Sequence, residues 1–285
     1  MDDIIQAKIE SSINDKIISS ELLGGGDSSF AFKIDTTSES YFCKYLQNDS
    51  ASSNIQSEVN SLEILRKTNT CHIPEIVSTF AEGETSGLIL QWIERKIANP
   101  ENLENFGRKL AELHLNQADT FGWERDNFIS ILPQRNTKHF SWQNFYLSER
   151  IIPMLEQGIN KGIFPAQVAS KITRLEQRLI DEIPTEKPSL LHGDLWSGNY
   201  IIDREGNPYI IDPACYFGFR EMDLAMSLMF GSFSRPFYVA YQEIFPMEKG
   251  FEDRLDLLQL YPLLVHSILF GGTYVGKVKS ILEKS

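Results

Sequence analysis

The chain has 285 residues, 42% hydrophobic and 23% charged, a composition ordinary for a folded globular protein that excludes a disordered one. Its 39 acidic residues against 27 basic ones give a formal net charge of −12, which repels nucleic-acid phosphate and anionic lipid and weakly favours a cationic substrate. Three scattered cysteines (Cys43, Cys71, Cys215) without a C-x-x-C pair, no stretch of ~18 apolar residues and no basic n-region at Met1–Ile5 lead us to expect a cytoplasmic chain with neither disulfides, zinc, membrane span nor signal peptide.

Taken in order, residues 2–18 place Ile5, Ile9, Ile13 and Ile17 four apart, which predicts an amphipathic helix. Ile18–Leu23 predicts a strand running into Gly24-Gly25-Gly26-Asp27. Strands follow at Phe30–Asp35 and Tyr41–Leu46, joined by the polar turn 36–40. Residues 54–68 carry a helical stripe (Ile55, Val59, Leu62, Leu65). Pro74 then opens a strand region that closes on Gly87–Ile93. Beyond it helices are predicted over 102–117, 141–160 and 165–182. Strands return between Leu190 and Asp212, where Tyr200–Ile202 and Tyr209–Ile211 flank Arg204-Glu205-Gly206-Asn207-Pro208, a hairpin signal. Helices over 221–231, 234–245 and 250–270 complete the pattern. We expect an α+β chain of two lobes: 1–91, small and mainly antiparallel β with one key helix, and 92–285, mostly α-helical. No Gly/Ser tether separates them, so the boundary is a hinge.

Three features carry chemistry. The strongest is His192-Gly193-Asp194-Leu195-Trp196-Ser197-Gly198-Asn199, followed by the hairpin and then Asp212-Pro213. Phosphoryl transfer needs an in-line hydroxyl, a group to take its proton, and magnesium on the phosphate oxygens. In that register Asp194 is the base, and Asn199 and Asp212 are oxygen ligands for Mg2+. A lone Asp-x-x-x-x-Asn would read as turn chemistry; the hairpin and Asp212 change that. The second feature is Gly24-Gly25-Gly26, whose backbone could approach phosphate, although alone the run more readily marks a tight hairpin turn. The third is Lys44 in an apolar strand, with Glu58 fourteen residues on in the next helix, a pair suited to ATP phosphates; alone, each reads as a solvated surface charge. The order of the three is that of a kinase. Ile211-Asp212-Pro213-Ala214 and the lack of an A-P-E segment disfavour a protein kinase.

These residues resemble the fructosamine/ketosamine-3-kinase family, within the group related to aminoglycoside phosphotransferases. The resemblance rests on 192–199, Phe121-Gly122-Trp123 with Asp126-Asn127, Pro133-Gln134, Trp142 through Arg150, Ile211–Ala214, Arg220-Glu221-x-Asp223-Leu224-Ala225 and Phe270-Gly271-Gly272, and it spans about residues 15 to 275. It implies a bilobal protein-kinase-like fold. It also implies ATP-dependent phosphorylation of the 3-hydroxyl of a ketosamine, free or protein-bound, which makes the sugar–amine adduct labile and serves deglycation. By the same resemblance Lys44 and Glu58 bind nucleotide, Gln91, Trp92 and Ile93 form the adenine hinge, and Trp196 stacks on the sugar or braces its loop. Asn127 and Gln134 become substrate contacts, and Arg220, Glu221 and Asp223 a support for the catalytic loop. His114 and His266 read as core histidines. The chain departs from the family's usual residues at Phe219, Pro262 and Gln91. A kinase for an aminoglycoside or choline-like amine, and a pseudokinase, are the alternatives.

Overall fold

Strand alternation organises the first part of the molecule. The structure, a computed structural model, describes residues 3–25, 29–231 and 233–284. Strands β1 (Ile17–Gly25), β2 (Ser29–Thr36), β3 (Ser40–Gln47), β4 (Ile76–Glu82) and β5 (Thr85–Gln91) form an antiparallel sheet in the order β1-β2-β3-β5-β4. On β3, Tyr41, Cys43 and Tyr45 face one side and meet Ile5 and Ile9 of α1 (Asp3–Ile13). Phe42 and Leu46 face the other side, with Ile55, Val59 and Leu62 of α2 (Ala51–Lys67). The predicted first helix is too long. Asn14 turns left-handed (φ 53) and ends it, and Ile17, the last member of the apolar stripe, starts β1 instead, its N–H donating to Glu10 Oε1 (3.1 Å).

The chain divides into two units. The first comprises residues 1–98 and 201–212, the second 99–200 and 213–285. The hairpin of β9 (Tyr200–Ile202) and β10 (Pro208–Ile210) joins the first unit through main-chain bonds from His72 N to Pro208 O (3.0 Å), Ile210 N to His72 O (3.1 Å) and Lys96 N to Ile202 O (2.9 Å). Its turn is tied by Asp203, whose carboxylate accepts the N–H groups of Gly206 and Asn207, both at 2.7 Å.

The second unit is mainly helical: α3 (Pro100–His114), α4 (Trp142–Phe145), α5 (Ile152–Asn160), α6 (Ile172–Glu182), α7 (Glu221–Ser227), α8 (Arg235–Ile244), α9 (Leu255–Phe270) and α10 (Thr273–Lys284). Two short ribbons join them: β6 (Asn127–Ile129) with β7 (Leu132–Gln134), and β8 (Ser189–Leu191) with β11 (Tyr216–Gly218). The helix expected over 141–160 is interrupted by a wide turn at Tyr146–Ile151. The interruption has a use. Pro262 inside α9 brings no N–H to the helix ladder, and the Tyr146 hydroxyl enters the ladder one residue earlier. It accepts from Tyr261 N (3.1 Å) and donates to Leu257 O (2.7 Å). No helix among the described residues is long and apolar enough to cross a membrane.

Candidate active site

Two constellations hold the chemistry-bearing residues, one in each unit.

In the first unit, the alternation of β3 aims Lys44 at the α2 side of the sheet, and Glu58 lies on the buried face of α2 with Ile55, Val59 and Leu62. Lys44 Nζ meets Glu58 Oε2 at 2.9 Å and Asp212 Oδ1 at 2.9 Å. One ammonium thus serves two carboxylates. Burial alone would lower the Lys44 pKa; the charges of Asp212 and Glu58 outweigh it and hold the ammonium well above its ordinary value. Burial acts most strongly on Glu58 as well. Together with the like charge of Asp212 it overcomes the pull of Lys44, and the carboxyl is pushed up to about 7. Its Oε1 is buried without a hydrogen-bond partner among the described residues. Asp212 itself adopts a left-handed backbone (φ 53). That conformation is uncommon for a residue before proline and is of the kind that persists where the surroundings hold it.

A pH effect follows, with a definite sign. Between the ordinary Glu58 value of 4.5 and about 7 the folded chain keeps a proton that the unfolded chain has lost. Stability from this group is therefore present below 4.5 and is lost as pH rises through 7. Glu58→Gln is expected to remove that share of the slope, read as the difference in Tm between variant and parent from about pH 4.5 to about pH 8. Curves that stay parallel would refute the assignment.

The rest of the nucleotide-type prediction divides. Gly24 and Gly25 complete β1, paired with Ala31 and Phe30; Gly26 lies outside the described residues. Gln91 ends β5, and its N–H is engaged by Glu75 O (2.9 Å). The Trp92 indole donates to Glu94 Oε1 (2.9 Å) under the Lys33 ammonium, 5.3 Å from the ring centroid. Ile93 is buried.

In the second unit, β8 delivers the loop 192–199. Gly193 has φ +85, and a Cβ there would lie 2.0 Å from Ala214 O, so only glycine fits. Asp223 at the start of α7 takes three donors: His192 N (2.7 Å), Gly193 N (2.9 Å) and His114 Nε2 (3.2 Å). His114 in turn meets the Tyr241 hydroxyl at 2.8 Å, which lies 3.4 Å from Arg220 Nη1; Arg220 is bidentate to Glu186. The expected support for the loop thus runs through Asp223 directly and Arg220 at two removes. Glu221 is elsewhere, paired with Arg254 at 2.6 Å. His114 is fully buried, as its apolar stripe predicts, yet it is a working link in this chain. Its partners come from α7 and α8, so no local pattern announces it.

Asp194 is half-buried. Its N–H donates to His192 Nδ1 (3.3 Å), and the Asn199 amide nitrogen donates to Asp194 O (2.8 Å) and Oδ2 (3.1 Å). With its nitrogen so engaged, Asn199 has its amide oxygen for a hard cation. Among the described residues, no group of three or more His, Cys, Asp or Glu side chains could hold a metal ion by itself. The Asn199 amide oxygen is the kind of hard donor that magnesium takes. Asp194 borders a cavity of about 20 Å³ lined also by Tyr216, Met222, Tyr261, Val265 and His266. His266 Nδ1 lies 2.8 Å from Pro262 O, and because a carbonyl only accepts, Nδ1 carries the proton; burial lowers the His266 pKa.

Trp196 lies over its own loop: a Cβ on Gly198 would come within 2.4 Å of the ring, and Phe230 meets it edge-on at 6.2 Å. Asn127 and Gln134 differ from the substrate contacts expected of them. They are 2% and 1% exposed, and their amides bond to each other (2.8 Å) and to the carbonyls of Cys215 (2.8 Å) and Ala214 (3.3 Å). Side chains so placed brace the main chain behind Gly193.

The sequence matches the fructosamine kinase family over residues 1–285. A protein of Enterococcus faecium whose name places it with the ketoamine kinases is 36% identical over 264 residues, covering 91% of this chain and 92% of its own length. The crystal structure of a Haemophilus somnus protein, named with the fructosamine-3-kinases, superposes with a TM-score of 0.88 at 28% identity and covers 98% of this chain and 96% of that one. The aminoglycoside phosphotransferase APH(4)-Ia gives 0.65 at 14% identity, over 99% of this chain and 98% of its own, a likeness of fold.

Proposed function

We propose that this chain, which belongs to the fructosamine kinase family and is a phosphotransferase of the ketoamine kinase class, moves the γ-phosphoryl of ATP to the 3-hydroxyl of a ketosamine. The observation that carries this reading is Lys44 held at 2.9 Å between Glu58 and Asp212. A lysine fixed by two carboxylates is a positioned cation for nucleotide phosphates, which need placement and neutralisation rather than covalent help.

The residues then take these roles. Lys44, oriented by Glu58, neutralises the α- and β-phosphates. The segment Gln91–Ile93 and the glycines before β2 are assigned to the nucleotide. Asp194 accepts the proton of the attacking hydroxyl, and the two bonds from Asn199 aim its carboxylate. Asp212 and the Asn199 amide oxygen are the donors we assign to magnesium, which when bound with the nucleotide supplies charge neutralisation at the phosphate oxygens. Trp196 offers a flat apolar face for a sugar ring. The product, phosphorylated on the carbon next to the carbonyl, is primed to expel inorganic phosphate by elimination, after which water cleaves the enamine to release the amine and leave a sugar dicarbonyl, the chemistry of deglycation.

The test is ATP consumption with magnesium over fructose-, ribulose- and erythrulose-amines, an aminoglycoside and choline, with phosphorus NMR to place the phosphate. We expect turnover on ketosamines with phosphate on O3, followed by release of free amine. Turnover confined to the aminoglycoside or choline, or a phosphate on another oxygen, would overturn the reading.

A further inference from the structure

Among the described residues Arg150 is a cation that meets no anion. It is fully buried, and among the described residues no carboxylate meets it. Its Nη1 donates to the carbonyls of Arg135 and Glu149, and its Nη2 to Asn136 Oδ1 (2.7 Å). The guanidinium also lies over the rings of Phe145 (4.6 Å), Tyr216 (4.3 Å) and Tyr261 (5.5 Å), while its Nε has no partner. Burying a charge this way is costly, and an apolar side chain of similar volume would pack as well. The guanidinium must therefore be explained by what it orients.

From Arg150 the hydrogen bonds lead through Asn136 to Asn127, where a second branch from Tyr261 and Gln134 joins. Asn136 Nδ2 donates to Asn127 Oδ1 (3.0 Å), and Gln134 Nε2 donates to the same oxygen (2.8 Å). Asn127 Nδ2 then holds Cys215 O (2.8 Å), Gln134 Nε2 holds Ala214 O (3.3 Å), and the Tyr261 hydroxyl closes the set on Gln134 Oε1 (2.7 Å). Ala214 is the abutment of the catalytic loop. Its N–H donates to His192 O (2.8 Å), and its carbonyl stands where a Gly193 side chain would be.

We propose that Arg150, through Asn136, Asn127 and Gln134, is a positioning residue: a buried polar strut that sets the Ala214–Cys215 main chain and thereby the place of Gly193 and Asp194. The strut explains why two amides that resemble ligand contacts are sealed from solvent. It rests on the reading of Asp194 as the proton acceptor, and it adds a second support to the loop, independent of the one through Asp223. A displacement of about 1 Å at a reacting group costs on the order of 100-fold in rate, so a strut remote from the substrate is felt in kcat.

The experiment compares Arg150→Met, which keeps volume, with Arg150→Lys, which keeps charge. Three quantities are read: kcat, KM for ATP, and amide hydrogen exchange at His192, Gly193 and Ala214. Arg150→Met is expected to lower kcat about 100-fold with KM for ATP within about twofold, and to speed exchange at those three amides while α2 and β3 keep theirs. Arg150→Lys is expected to recover about tenfold of the rate, because an ammonium reaches some of the same carbonyls. If Arg150→Met does not fold, Tyr261→Phe removes one hydroxyl from the end of the strut and is expected to lower kcat about tenfold with the same exchange signature. A folded Arg150→Met with unchanged kcat and unchanged exchange would overturn the proposal. So would exchange that rises equally throughout the chain, with the lysine variant no better than the methionine one. Should the parent chain phosphorylate no ketosamine, the functional reading fails, and the exchange readout still decides the strut.

Discussion

Asp194→Asn is expected to lower kcat by roughly 10²–10⁴-fold, the usual contribution of a positioned general base, while leaving nucleotide affinity within about twofold. Asparagine is isosteric with aspartate. It keeps an oxygen for the Asn199 amide, which lies 3.1 Å from the Asp194 carboxylate, and the second Asn199 bond goes to main chain and is unaffected. The loop is held besides by the Asp223 bonds to His192 and Gly193. The substitution thus removes proton acceptance and little else. The nucleotide role proposed above falls to Lys44, Glu58 and Asp212, which belong to the other unit. Turnover at saturating substrate and ADP affinity by calorimetry measure the two quantities separately. A folded variant with more than about a tenth of the parent kcat would take Asp194 out of the role of base.

Lys44→Met is expected to lower kcat/KM for ATP by about 100-fold, the loss of a charge-assisted contact worth ~1.5–3 kcal/mol. The acceptor's KM should hold. Methionine fills the same space between β3 and α2, but it leaves the carboxylates of Glu58 and Asp212 facing each other without their shared cation. Glu58, already pushed up to about 7, then rises further, since the pull of Lys44 that opposed burial is gone. The stability deficit of the variant should accordingly grow as pH rises and shrink as Glu58 is protonated. Tm against pH, set beside initial rates at varied ATP, checks both parts. Near-normal use of ATP by the methionine variant would remove Lys44 from the nucleotide site.

Several elements of the site were legible before any coordinates. The Lys44–Glu58 pairing follows from periodicity: period two on β3 turns Lys44 towards the helix side, and a stripe of Ile55, Val59 and Leu62 turns the neighbouring Glu58 inward. The Asp-to-Asn spacing of 194 and 199 was equally visible, whereas the left-handed turn at Gly193 and its close approach to Ala214 were not. Other parts were not. Ile17 completes a helical stripe in sequence and is nonetheless the first residue of a strand, because Asn14 ends α1 before the stripe does. Asn127 and Gln134, on three-residue strands in a segment punctuated by proline, had the look of exposed ligand contacts. They are sealed by Ala214, Cys215 and Tyr261, residues 80 or more positions away.

The sequence by itself determined the α+β class, the chain order of the first strands and their helix, and the family, because these depend on local spacing and on a short run of chemically unusual residues. Tertiary structure decided which polar groups are buried together. The return of 201–212 to the first unit, the link from Arg220 through Tyr241 and His114 to Asp223, and an arginine whose charge is met by carbonyls, amides and aromatic faces all arise between segments distant in sequence. A buried hydrogen bond leaves no periodic trace in either of the segments it joins. Its cost and its use both come from desolvation, and that exists only once the chain has closed around it.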